Sequence, residues 1–184
     1  SSSRAALLAT QRSRYPWGGP LIVGARACAA AHRGAWDEAD LAVEALVTRG
    51  AIFDAPAPLM QVVAAAYREL IAALRDPASV DRPRLGNLLK LVLAAGGDIH
   101  LLAPLCALAE AALRAGLPEL FSECERPLQR AEANGVVLTA GWVQSIPRLL
   151  AGCAAAAGRS DEAELAYERS IAASRSGPAP VELA

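Results

Sequence analysis

Arg33-Gly34-Ala35-Trp36-Asp37-Glu38-Ala39, Ala115-Gly116-Leu117-Pro118-Glu119-Leu120-Phe121 and Ala157-Gly158-Arg159-Ser160-Asp161-Glu162-Ala163 are three versions of one turn. In each, an acidic residue follows the glycine by three positions, and an apolar residue comes two beyond that. The glycine ends a helix, because a residue without a Cβ takes the left-handed conformation at no steric cost. The acidic residue then falls in the first turn of the next helix, where free N–H groups and the helix dipole favour negative charge. Pro118 suits a first helical position and Ser160 an N-cap. Each stretch therefore predicts a helix, a tight reversal and a second helix.

The spacing extends this to the whole chain. Gly34 and Gly116 are 82 positions apart, and Gly116 and Gly158 are 42. Two steps of 41 fill the first gap and put an unmarked turn near position 75, where Arg75-Asp76-Pro77 is a helix-ending sequence. A repeat of 41–42 residues with a degenerate second unit follows, and it predicts eight helices in four antiparallel pairs. Their ranges are 20–33 and 36–48, 58–75 and 82–95, 99–115 and 118–134, and 140–157 and 161–174. Gly50, Gly97, Gly135 and Gly177 stand where C-terminal caps belong, and Asp98 and Thr139 where N-caps belong. Pro127 and Pro147 fall inside predicted helices and are expected to kink or split them. Residues 1–19 read as a partial helix followed by an aromatic turn, Tyr15-Pro16-Trp17-Gly18-Gly19-Pro20, that covers the end of the array. Residues 20–176 form the helical repeat domain, and 177–184 a tail leading into a missing segment.

Composition agrees with an all-α chain. Hydrophobic residues make up 54%, much of it alanine, the strongest helix former, and strand-like alternation is absent. The 18 basic residues are balanced by 19 acidic ones, so the basic excess of a nucleic-acid binder is missing. No apolar run reaches the roughly 18–20 residues needed to span a bilayer. Cys28, Cys106, Cys124 and Cys153 are scattered through predicted helices, which reads as reduced core thiols of a cytoplasmic protein. An alanine- and arginine-rich composition with Lys90 as the sole lysine points to a GC-rich bacterial genome.

On these residues the chain resembles the tetratricopeptide repeat. Ala27, Ala30, Gly34, Ala39 and Leu46 fall at its small and apolar spacing, as do Ala151, Ala154, Gly158, Ala163 and Ser170. Ala109, Ala112 and Gly116 match in the third unit, where Phe121 replaces the usual small residue. With its longer period the array is similar to the variant repeats of large bacterial signalling proteins, namely LuxR-type regulators with a nucleotide-binding ATPase module and multidomain nucleotide cyclases. The resemblance implies an α-solenoid acting as a cytoplasmic scaffold or sensor region. It would bind a protein, a peptide or a small effector, or act on flanking domains of its own chain.

Site chemistry is sparse. Cys28 and His32, four apart on one helix face, make half a metal site, and the chain has only two histidines. His100 and Cys106 are six apart on poorly matched faces, so a thiol nucleophile lacks its base. Asp37/Glu38 and Asp161/Glu162 are explained by their helix-start positions. Gly18-Gly19 and Gly96-Gly97 lack the lysine and hydroxyl of a phosphate loop. The expectation is a non-enzymatic chain without cofactor or metal. Recognition is left to a groove lined by the first helix of each pair. Its candidate residues are Cys28, His32, Glu69, Glu110, Arg114 and Arg148. Two readings stay open: an interaction or regulatory module in a larger signalling or transcription protein, and a small-molecule sensor with its pocket near Arg114 and Arg148. Self-association into a homodimer is compatible with apolar helix faces at the ends of the array.

Overall fold

The computed structural model describes residues 18–48, 57–94, 101–139 and 141–176. Among these residues there are eight α-helices and no strand. They are α1 (Gly18–His32), α2 (Trp36–Thr48), α3 (Ala57–Arg75), α4 (Arg82–Ala94), α5 (Leu102–Arg114), α6 (Pro118–Ala133), α7 (Ile146–Ala156) and α8 (Ser160–Ser176). A single 3-10 turn, Pro77–Ser79, lies between α3 and α4, at the turn expected near position 75. Asp76 caps it by accepting a hydrogen bond from the Ala78 N–H.

The three glycine turns share one geometry. Gly34, Gly116 and Gly158 have φ of 72°, 66° and 73°. In each, the N–H after the glycine reaches back five residues: Ala35 to Ala30 (2.9 Å), Leu117 to Ala112 (2.9 Å) and Arg159 to Ala154 (2.8 Å). The glycine N–H reaches back three, to Ala31, Leu113 and Ala155. This is the Schellman pattern, which satisfies carbonyls that a helix end otherwise leaves open. Gly135 ends α6 in the same way, with φ 81°. The apolar residue of each turn motif, Ala39, Phe121 or Ala163, is buried.

Packing divides the helices into two kinds. Each helix touches the next in sequence, and the odd-numbered ones also touch one another in order, α1 on α3, α3 on α5 and α5 on α7. Small side chains permit this close approach. A Cβ on Gly24 of α1 would stand 2.6–2.9 Å from the ring and hydroxyl of Tyr67 on α3. One on Gly152 of α7 would stand 2.5 Å from Leu113 Cδ2 on α5. Helix α5 is enclosed, with every residue from Ala103 to Ala112 buried. The even-numbered helices are joined more loosely, through exposed ion pairs such as Arg82–Glu119 (2.7 Å) and Arg169–Glu132 (2.8 Å). Pairs of this kind contribute about 0–1 kcal/mol each.

The largest departure from the sequence reading is at α7. The expected helix 140–157 starts at Ile146, and Thr139 does not cap it. Ser145 is the N-cap, accepting a hydrogen bond from the Arg148 N–H, and Pro147 occupies the second helical position. There its missing N–H costs nothing, so Pro147 starts a helix and does not kink one. Pro127, by contrast, does lie inside α6, and the helix runs on through it unsplit. Ser160 is the first residue of α8 and not its cap. The aromatic turn up to Trp17, the caps Gly50, Gly97, Asp98 and Gly177, His100 and the 177–184 tail lie outside the described residues. No helix among the described residues is long and apolar enough to cross a membrane.

Gly24 and Gly152 give a paired test of the close approaches. Alanine gains about 1 kcal/mol of helix propensity over glycine at either site. At Gly24 it would collide with the fully buried Tyr67 ring, and overpacking of this kind costs about 1–3 kcal/mol. At Gly152 it would meet only the end of a leucine side chain that can turn aside. Urea denaturation should show Gly24→Ala less stable than the parent and Gly152→Ala close to it.

Candidate binding site between α5 and α7

The twelve residues linking α6 to α7 do not skirt the surface. Their latter part, 136–145 (residue 140 lies outside the described residues), crosses the odd-numbered row as a strap. The Tyr67 hydroxyl of α3 donates to the Gly141 carbonyl at 2.5 Å. Gly141 itself has φ 93°, and a Cβ there would stand 3.1 Å from both Ala103 and the Tyr67 hydroxyl. Trp142 is buried and meets the His32 ring of α1 edge-on, with centroids 6.0 Å apart. The strap ends when the Ile146 N–H donates to the Val137 carbonyl at 2.8 Å.

From the strap a polar chain runs along the row. The Gln144 amide nitrogen lies 3.3 Å from the His32 ring nitrogens, and the Arg148 guanidinium donates to the Gln144 side-chain oxygen. Arg148 Nη1 also lies 3.6 Å from Glu110 Oε2, within ion-pair reach but beyond a hydrogen bond. Arg114 Nε donates to Glu110 Oε1 at 2.8 Å. The Glu110 side chain is 1% exposed, and those of Arg114 and Arg148 are 42% and 33% exposed. Glu110 Oε2 and Trp142 Nε1 are buried with no hydrogen-bond partner among the described residues. Beside this cluster lies a cleft of about 370 Å³, lined by Glu110, Arg114 and Arg148 and, on its apolar side, by Leu113, Ala155 and the half-exposed Tyr167 of α8.

Four of the expected groove residues, His32, Glu110, Arg114 and Arg148, thus belong to one connected cluster. Cys28 is fully buried near it, with the Val143 backbone of the strap beside its thiol. Glu69 is elsewhere. It is buried against α4 and pairs with Arg84 at 2.6 Å. Burial raises its pKa, and Arg84 opposes the shift. Sequence reasoning missed Gln144 and Trp142 because it placed them inside a helix. The Ser145-Ile146-Pro147 triplet, a capping residue with proline in the first turn behind it, is the signal that separates them from the helix.

The cysteines around the site are not poised as nucleophiles. Burial pushes the thiols of Cys28 and Cys124 up to about 12 and raises those of Cys106 and Cys153 as well, so all four stay protonated and non-nucleophilic at neutral pH. All four are free and buried. Among the described residues no three His, Cys, Asp or Glu side chains cluster to hold a metal ion. What the cluster offers is a fixed carboxylate between two partly exposed guanidiniums, with an apolar wall alongside.

His32 links this geometry to pH. Burial lowers its pKa; Glu110 opposes the shift, while Arg148 and Arg114 add to it. Below the ordinary histidine value of about 6.5 the unfolded chain binds a proton that the folded chain refuses, so stability falls as pH drops through that window. Denaturant stability measured from pH 7.5 down to 5.5 should decline less steeply in His32→Gln than in the parent, by at most about 1.4 kcal/mol per pH unit. Parallel slopes would mean that His32 titrates normally.

Comparison with models of protein families, with curated proteins and with solved structures finds no match to this chain.

Proposed function

We propose that the chain is a non-catalytic regulatory module of a larger bacterial signalling or transcription-regulatory protein. Its fold in this reading is a cytoplasmic, tetratricopeptide-like α-solenoid of four helix pairs. The module recognises its ligand through the row of odd-numbered helices. Two features support the solenoid: the glycine turn recurring with one geometry, and the serial packing of α1, α3, α5 and α7. Stacked helix pairs have this contact pattern, and the row they form is the usual recognition surface.

The observation that carries the function is the cleft between α5 and α7, with its buried Glu110 and half-exposed Arg114 and Arg148. One further observation favours an effector sensor over an open peptide groove. The strap already occupies the row above Cys28, His32 and Tyr67, and it leaves a cleft of small-molecule size. The Arg148–Gln144–His32 chain then gives such an effector a route to the strap.

Photo-crosslinking in cells tests the module reading. p-Benzoylphenylalanine at position 155, on the cleft, is compared with the same residue at position 44, on the exposed face of α2. Intact-mass measurement should find adducts at 155 and few at 44. An adduct of a few hundred daltons supports the sensor, and a protein-sized one supports a scaffold that binds a protein or peptide. Equal labelling at the two positions, or labelling at 44 alone, overturns both.

A further inference from the structure

We propose that the cleft between α5 and α7 binds a free α-amino acid with an apolar side chain, an inference that rests on the module reading above and supplies its ligand. The argument starts from Glu110. Its Oε1 is satisfied by Arg114, but Oε2 is buried with no hydrogen-bond partner among the described residues, and Arg148 Nη1 stands off at 3.6 Å. A buried carboxylate oxygen in this state lacks a donor that native interiors nearly always supply. An ammonium group is the matching donor, since it carries three N–H bonds and its hydrogen bond to a carboxylate is charge-assisted.

The two arginines ask for the opposite group. Each guanidinium has five N–H donors. Arg114 commits its Nε to Glu110, and Arg148 commits Nη1 to Gln144 and faces Glu110 with it. Their other edges are partly exposed at the cleft and suit a carboxylate. An α-amino acid carries ammonium and carboxylate on one carbon, and here the unsatisfied acceptor and the open donors are adjacent. A ligand carboxylate that draws the Arg148 guanidinium outward lets the ammonium reach Oε2.

The rest of the cleft selects the side chain. Leu113, Ala155, Ala156 and Tyr167 present apolar surface. A volume of about 370 Å³ is at the small end of the ligand-pocket range of about 300–1,000 Å³. Other ligand classes fit less well. A simple carboxylate would serve the arginines and leave Oε2 unsatisfied. A phosphate would bring excess negative charge next to Glu110. An amine alone would leave both guanidiniums without an anion.

Calorimetric titration of the whole chain tests this with three probes of one shape: L-leucine, 4-methylpentanoate, which lacks the ammonium, and 3-methylbutylamine, which lacks the carboxylate. Leucine is expected to bind saturably, and each analogue to bind at least about tenfold more weakly. Arg114→Gln and Arg148→Gln should each weaken leucine by a similar factor while keeping the helical circular-dichroism spectrum of the parent at the titration temperature, although each lowers the melting temperature by removing a partner of Glu110. Glu110→Gln should erase the preference for leucine over 4-methylpentanoate. If that variant does not fold, the analogue series and the arginine variants carry the test. The proposal is overturned if neither leucine nor phenylalanine binds saturably at millimolar concentration, or if 4-methylpentanoate binds as well as leucine. Failure here with adducts still forming at position 155 rejects the amino acid and leaves the module reading standing; failure of both rejects both.

Discussion

From Ala103 to Ala112 helix α5 has no solvent face, and much of the molecule follows from that. A helix buried all round must be apolar and small, and Ala103 to Ala112 is so except at Glu110. Its carboxylate is almost fully buried, so the protein must supply its partners. Arg114 comes from one turn further along the same helix, and Arg148 from α7, which therefore has to lie alongside. Gly152 permits that approach, because it presents no Cβ to Leu113. The charge, the close helix contact and the cleft are one arrangement seen from three sides.

The strap is the second organising feature. A row of small-residue helices leaves hydrophobic surface and a few polar groups open on one side. Here the chain covers part of that surface itself. Trp142 supplies apolar area against His32, Tyr67 fixes the backbone of Gly141, and Gln144 bridges His32 and Arg148. The cleft is what the strap does not cover. Arg148 joins the two, since it donates to Gln144 of the strap and faces Glu110 in the cleft.

Most of the helices could be read from the sequence because their ends are marked by local chemistry. Glycine closes α1, α5, α6 and α7, and acidic residues or proline open α2, α6 and α8. The start of α7 was misread because Thr139 and Ser145 are both plausible caps, and only the placement of Pro147 separates them. The site was legible in so far as it follows helical periodicity. Glu110 and Arg114 are one turn apart and share a face. Glu69 fell away for the same reason: it lies two residues, about 200° of rotation, from Tyr67, which faces the strap, and so it turns toward α4. Gln144 and Trp142 obey no period, since their positions come from a loop folding back over distant helices. That information is tertiary, and a repeat pattern does not contain it.

A stack of helix pairs that touch only their neighbours can fray one pair at a time, since each contributes its own stability and a nearest-neighbour interface. The strap changes this. Its bonds join residues 74 and 112 positions apart, from Tyr67 to Gly141 and from His32 to Gln144. Helix α1 is thereby tied to the segment that leads into α7 and cannot peel away without unseating it. An otherwise linear assembly acquires a closing stitch. Contacts this far apart in sequence favour all-or-none unfolding and slow folding, because a wide loop must shut before they can form.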